Sequence, residues 1–198
     1  HMRSQFFDGF DFAEYKFSIV AVEHVDEFFN IEQYGLHPVI YDESCLRGYA
    51  CIFGFTEDKH LALHKLFTNN NGRPAPSIDG VEPVPFHSPA GDLRYDLELA
   101  IPYSGSILIA NGFIQKYFVP FGFQIPHAFK KVYELTFDEG LFVRVEDRSE
   151  AARQLRIEYK EPLPPEKKLQ LRVAHWFNKP EEYGFDDETL AQYMDLSY

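Results

Sequence analysis

Leu93-Arg94-Tyr95-Asp96-Leu97-Glu98-Leu99-Ala100-Ile101 alternates without interruption. Its odd positions are apolar, and Arg94, Asp96 and Glu98 carry charge between them. A period of two puts one face of an extended segment in a core and the other in water. The stretch therefore predicts a half-buried β-strand and sets the reading of its neighbours. Downstream, Ser104 to Ala110 and Phe113 to Val119 are apolar runs on either side of Asn111-Gly112. Both turn residues tolerate positive φ, so a hairpin is predicted there. A second hairpin is predicted across Asp138-Glu139-Gly140. Tyr133, Leu135 and Phe137 alternate before it, and Leu141, Val143 and Val145 alternate after it.

Upstream, Tyr15 to Val22 reads as a strand. Arg47 to Phe55 reads as another, with Tyr49, Cys51, Phe53 and Phe55 sharing a face. Glu57-Asp58-Lys59 supplies a turn, and His60 to Phe67 returns. The aromatic–acidic alternation Phe6 to Phe12 is too brief to fold alone and is expected as a sheet edge or an exposed arm, the latter able to join copies of the chain. Asn69 to Pro89 holds five prolines, which cannot supply ladder donors, and is expected as a long surface loop. Beyond Asp147 the pattern weakens. Ser149 could cap a short helix through Arg153, whereas Leu155, Ile157 and Tyr159 alternate like a strand. Asp186-Asp187-Glu188 before Leu190, Tyr193 and Met194 predicts a terminal helix with acids at its positive end. The expected architecture is a single domain over residues 1–198. It is mainly β (or α+β), an antiparallel β-sandwich or partly closed barrel with a C-terminal helix, and residues 178–198 form an acidic helical appendage.

The bulk composition agrees. Twenty Phe and 12 Tyr in 198 residues, beside two Met and one Trp, favour pleated surfaces and supply a full core. A net charge of −12 repels phosphate backbones and argues against a nucleic-acid partner. No apolar run approaches the roughly 20 residues of a membrane span, and no secretory leader is read at the amino terminus. Cys45 and Cys51 cannot build a disulfide framework; on one extended strand they would stand roughly 20 Å apart. A cytoplasmic protein with reduced thiols is expected.

Chemistry-bearing motifs are sparse. His60 and His64 are four apart, but their segment alternates like a strand, and no Cys, Asp or Glu completes a zinc spacing. No metal and no cofactor are expected. Asp96 and Glu98 share the polar face of one strand beside Arg94, which reads as a solvated charge ladder rather than a catalytic pair. Ile157-Glu158-Tyr159-Lys160 matches a hydrophobic-acid-x-lysine nuclease pattern, but acid-x-lysine occurs three more times in the chain. No nucleophile elbow, Walker loop or dinucleotide fingerprint is present. Arg47, at the head of an apolar strand, is expected to pair with a carboxylate or to cap carbonyls.

Two segments resemble a pattern found in small bacterial β-rich proteins. Ser44-Cys45-Leu46-Arg47-Gly48-Tyr49-Ala50-Cys51-Ile52-Phe53, followed by a charged turn and Leu61-Ala62-Leu63, is similar to its first part. Tyr103-Ser104-Gly105-Ser106-Ile107-Leu108-Ile109 with Asn111-Gly112 is similar to its second. The likeness spans about residues 36–143. Leu46 and Tyr103 depart from it where larger aromatics are expected, and the last third has no counterpart. The resemblance implies an immunity or accessory component encoded beside a bacterial toxin. It would be a non-catalytic, protein-binding domain, monomeric or homodimeric, that captures a basic toxin domain by electrostatic steering. Glu181, Glu182, Tyr183, Asp186, Asp187, Glu188 and Tyr193 are then the expected partner-binding residues. The alternative is a small-molecule-binding or enzymatic barrel, its aromatic pocket served by Arg47, Tyr103, Asp96 and Glu98.

Overall fold

The structure, a computed structural model, describes residues 5, 7–117, 124–159 and 175–177. Strands β1 (Gly9–Phe12), β2 (Tyr15–Val22), β3 (Tyr49–Phe55), β4 (Leu61–Thr68) and β5 (Val84–Ser88) precede β6 (Gly91–Ala100), β7 (Gly105–Phe113), β8 (Phe129–Asp138) and β9 (Leu141–Asp147). A helix, α1 (Ser149–Glu158), follows. The strands form one mixed sheet of nine in the order β5-β6-β4-β3-β1-β2-β7-β8-β9. The mainly β expectation holds, but as a single curled sheet rather than two stacked ones. The curl is partial: Leu61 N–H donates to Gly140 O at 2.7 Å and Phe142 N–H to Lys59 O at 3.1 Å, so the β8–β9 turn touches the β3–β4 turn without closing the sheet.

The concave face holds the larger core. Phe10, Phe53, Leu61, Leu63, Leu66, Tyr95, Tyr103 and Ile107 are all fully buried there. On the convex side, α1 covers β8. Ala152 and Leu155, three apart on one helical face, pack with Val132, Ala128 and Trp176. The strand-like reading of Leu155, Ile157 and Tyr159 is thereby corrected. These residues lie on or beside α1, and the exposed Ile157 breaks their apparent alternation.

Three further readings change. Of the aromatic stretch Phe6 to Phe12, Phe6 lies outside the described residues, and the rest is neither edge nor arm. Its β1 lies mid-sheet, antiparallel to β2 and parallel to β3, with Phe10 fully buried. Asn111-Gly112 makes no hairpin: β7 runs through both residues and pairs with β8, Asn111 opposite Lys131 and Phe113 opposite Phe129. Gly112 keeps its positive φ of 74° as a local twist inside the strand. The Asn69–Pro89 loop ends in β5, an edge strand where Pro85 can sit because that edge lends no donors. The hairpin across Glu139-Gly140 is present, both residues at positive φ. A register shift beside it puts Phe142 into the core and leaves Leu141, Val143 and Val145 exposed. The helix expected over residues 186–194 lies outside the described residues.

Candidate functional site

The strongest polar feature is a buried ion pair at the middle of the sheet. Asp8, just before β1, accepts from Arg47 Nη2 at 2.9 Å and from the Cys51 N–H at 2.8 Å through Oδ1. The side chains are 0% and 8% exposed, and the guanidinium lies 4.3 Å over the Tyr49 ring. Gln5 completes the clamp, donating to Glu43 O at 3.0 Å and accepting from the Leu46 N–H at 2.9 Å. Burial pushes the Asp8 carboxyl upward against the pull of Arg47 and its hydrogen bonds. Burial alone would lower Arg47, but the carboxylate beside it keeps the guanidinium charged. The expected carboxylate partner of Arg47 is thus Asp8, a residue its sequence setting gave no reason to choose.

Both thiols belong to the same neighbourhood. Cys45 sits in a turn ahead of β3, so the single-strand premise of the separation argument fails; both cysteines are nevertheless free and buried. Cys45 donates to Tyr49 O at 3.3 Å. Burial, with the Asp8 charge adding to it, raises both thiols above their ordinary value, which removes the thiolate a nucleophile needs.

Beside this pair the convex face carries a cavity of about 400 Å³, with walls that include Phe7, Ala50, Ile52, Phe67, Phe86 and Ala90. The cavity lies on the half of the sheet that α1 does not cover. Asn69 builds its rim: its side chain accepts from the Val39 N–H at 3.0 Å and donates to Val39 O at 2.8 Å and Ala90 O at 2.9 Å. This pins segment 39–41 beside the cavity wall, where Tyr41 meets the His87 ring at 6.2 Å. Phe86 in the cavity wall, Val84 on the same strand, and Val39, Ile40 and Tyr41 in the pinned segment are exposed apolar side chains.

The residues singled out for a pocket do not share one. Arg47 is engaged by Asp8. Tyr103 is buried in the concave core, its single hydroxyl proton shared between Glu23 O and Ser106 O. Asp96 lies on the exposed face of β6, held by Lys65 and Arg94 at 2.9 Å each, and Glu98 is exposed two residues on. Glu181, Glu182, Tyr183, Asp186, Asp187, Glu188 and Tyr193 lie outside the described residues. Asp8, Asn69, Phe67 and Phe86 are what the sequence reading missed. The Asn69-Asn70-Asn71 run was the one available signal, since clustered Asn side chains commonly organise backbone.

Under α1, Glu134 pairs with Arg148 at 2.5 Å, and Arg148 also donates to Trp176 O at 3.2 Å. Nearby His127 is buried, and its Nδ1 has no hydrogen-bond partner among the described residues. Burial, reinforced by Arg156 and His175, lowers its pKa to about 4. A depressed histidine stabilises the fold fully above its unfolded value near 6.5, and that contribution fades as pH falls towards 4. Urea unfolding should lose about 3 kcal/mol between pH 7.5 and 4 from this residue. In His127→Leu that part of the slope should vanish; an unchanged slope would assign the pH dependence elsewhere.

The chain is therefore a mainly β domain with a helix on one convex flank and a carbon-lined cavity on the other, and no helix among the described residues is long and apolar enough to cross a membrane. Comparison with protein-family models, with curated proteins and with solved structures finds no match.

Proposed function

We propose that this chain is a non-catalytic binding domain that holds a protein partner against the apolar surface around the cavity. That is the role of an immunity-type protein neutralising a cognate bacterial toxin in the cytoplasm. The observation that carries the reading is the cavity wall at exposed Phe86, with exposed Val84 on the same strand and the exposed segment Val39–Tyr41 tied to that wall by Asn69 and by the Tyr41–His87 ring contact. Aromatic and aliphatic side chains around a pocket are the usual anchors of an interface core. The net charge of −12 supports a basic partner, because it accelerates encounter and suppresses acidic competitors. The buried Asp8–Arg47 pair and the Asn69 bonds hold this surface in place, as a preformed interface requires.

A second reading, a site for a small apolar molecule, is favoured by the cavity itself, whose volume falls within the range of ligand pockets. One experiment separates the two. The full chain and Phe86→Asp are purified from the native host at low and moderate salt. Bound proteins are identified and quantified by mass spectrometry, and a denatured extract is analysed for small molecules. A stoichiometric basic protein that falls at least roughly tenfold with Phe86→Asp and with salt supports the partner reading. Equal recovery on both chains removes this surface from the interface. An apolar small molecule carried by the wild-type chain alone moves the assignment to the cavity.

A further inference from the structure

We propose that β9 is a self-recognition edge, at which two copies of the chain pair antiparallel about a two-fold axis through Val145. The two ends of the sheet are treated differently. At the β5 end, Pro85 within the strand and Pro83 and Pro89 beside it deny donors to an incoming strand. The β9 strand contains no proline. Among the described residues, its open side is used only at its start, where Leu141 bridges His60 and Phe142 donates to Lys59 O.

The hydrogen-bond alternation shows which groups of β9 face outward. Arg148 N–H donates to Val132 O at 2.8 Å, and the register continues Tyr133↔Asp147, Glu134↔Glu146, Leu135↔Val145, Thr136↔Arg144. Antiparallel pairs alternate between bonded and non-bonded. Glu146 and Arg144 therefore bond back to β8, while Val145 and Asp147 aim their N–H and C=O at the open edge. A partner strand must meet those groups with the same groups of its own, which leaves few symmetric registers. Centring on Glu146 sets Glu146 against Glu146 and Arg144 against Arg148. Centring on Arg144 or Asp147 sets each against itself. Centring on Val145 brings Arg144 opposite the second copy's Glu146 twice over and lays Val145 on Val145. It is the one of these registers in which the signs match. It also covers Val145, which shares the face of Leu135 and is 45% exposed at the edge. A two-fold contact closes on itself, and the proline-bearing β5 edges then face outward, so the assembly stops at two.

Sedimentation equilibrium of the full chain and of charge-reversal variants tests this, with circular dichroism confirming that each variant is folded. The wild type should dimerise. Arg144→Glu and Glu146→Arg each disturb two symmetry-related pairs, so each should raise the dimer dissociation constant roughly tenfold or more. Arg144→Glu combined with Glu146→Arg should restore it to within a few-fold. Since Arg144 also approaches Glu134 at 3.5 Å, the restoring double variant separates pairing between copies from a purely internal role. A chain that stays monomeric to several hundred micromolar, a dimer indifferent to either single reversal, or a double variant as weak as the singles overturns the proposal.

Discussion

Arg47→Met should cost the fold about 3–5 kcal/mol, the usual penalty for leaving one member of a buried ion pair without its partner. The uncompensated group would be Asp8, whose side chain is fully buried and whose Oδ1 is left with the Cys51 N–H alone among its charged and main-chain donors. Methionine fills much of the volume of the arginine stem, so the loss reports the charge and not a cavity. Arg47→Lys should lose less: it keeps the charge but not the fork that reaches Asp8 through Nη1 at 3.4 Å and Nη2 at 2.9 Å. Combining Asp8→Leu with Arg47→Met should recover most of the stability, because an apolar pair needs no compensation. Urea midpoints at neutral pH measure all three. A single-variant loss below about 1 kcal/mol would mean that water reaches the pair, as it does for exposed bridges.

Gly140→Ala carries the second large expected effect, also about 3–5 kcal/mol, from a positive φ added to a backbone overlap. Gly140 has φ 87°, and a Cβ there would stand 2.5 Å from Ile101 O. Its own N–H donates to Tyr103 O at 2.8 Å and its carbonyl accepts from Leu61. The residue is thus the point at which the β8–β9 turn is fastened to the far half of the sheet. The added methyl should lower the thermal midpoint and expose the Leu61 amide to hydrogen exchange first. A variant with wild-type exchange at Leu61 would show that the turn can shift without unfastening.

Much of the strand content was legible because most strands carry a local mark. Leu93 to Ile101 alternates, and the β6 burial follows that alternation. Glu139-Gly140 turns as its chemistry predicts. What escaped was decided by partners far along the chain. Asn111-Gly112 has the local chemistry of a turn, yet the ladder from Gly105 to Phe113 along β8 outweighs it, and Gly112 survives as a twist. Position Phe10 pairs in parallel with Phe53, an arrangement no short window can display. The site shows the same limit. Arg47 announced its need for a carboxylate, because a cation at the head of an apolar strand has to be neutralised. Asp8 gave no such signal, since an acid between aromatics reads as the wet half of an alternation. The cavity was invisible: Phe67 and Phe86 come from different strands and meet at 5.4 Å only once β4, β6 and β5 are assembled.

The four residues of β1 are the seam between two half-sheets, β5-β6-β4-β3 on one side and β2-β7-β8-β9 on the other. That seam precedes β3 in the chain, and it stays unpaired on one flank until Tyr49 to Phe55 has been made. Completion of the fold thus waits on a contact more than forty positions apart, the kind of closure that slows a chain and prolongs its exposure to aggregation. Loss of the β1 pairings alone would therefore part the two halves along that seam while leaving the ladders within each half intact.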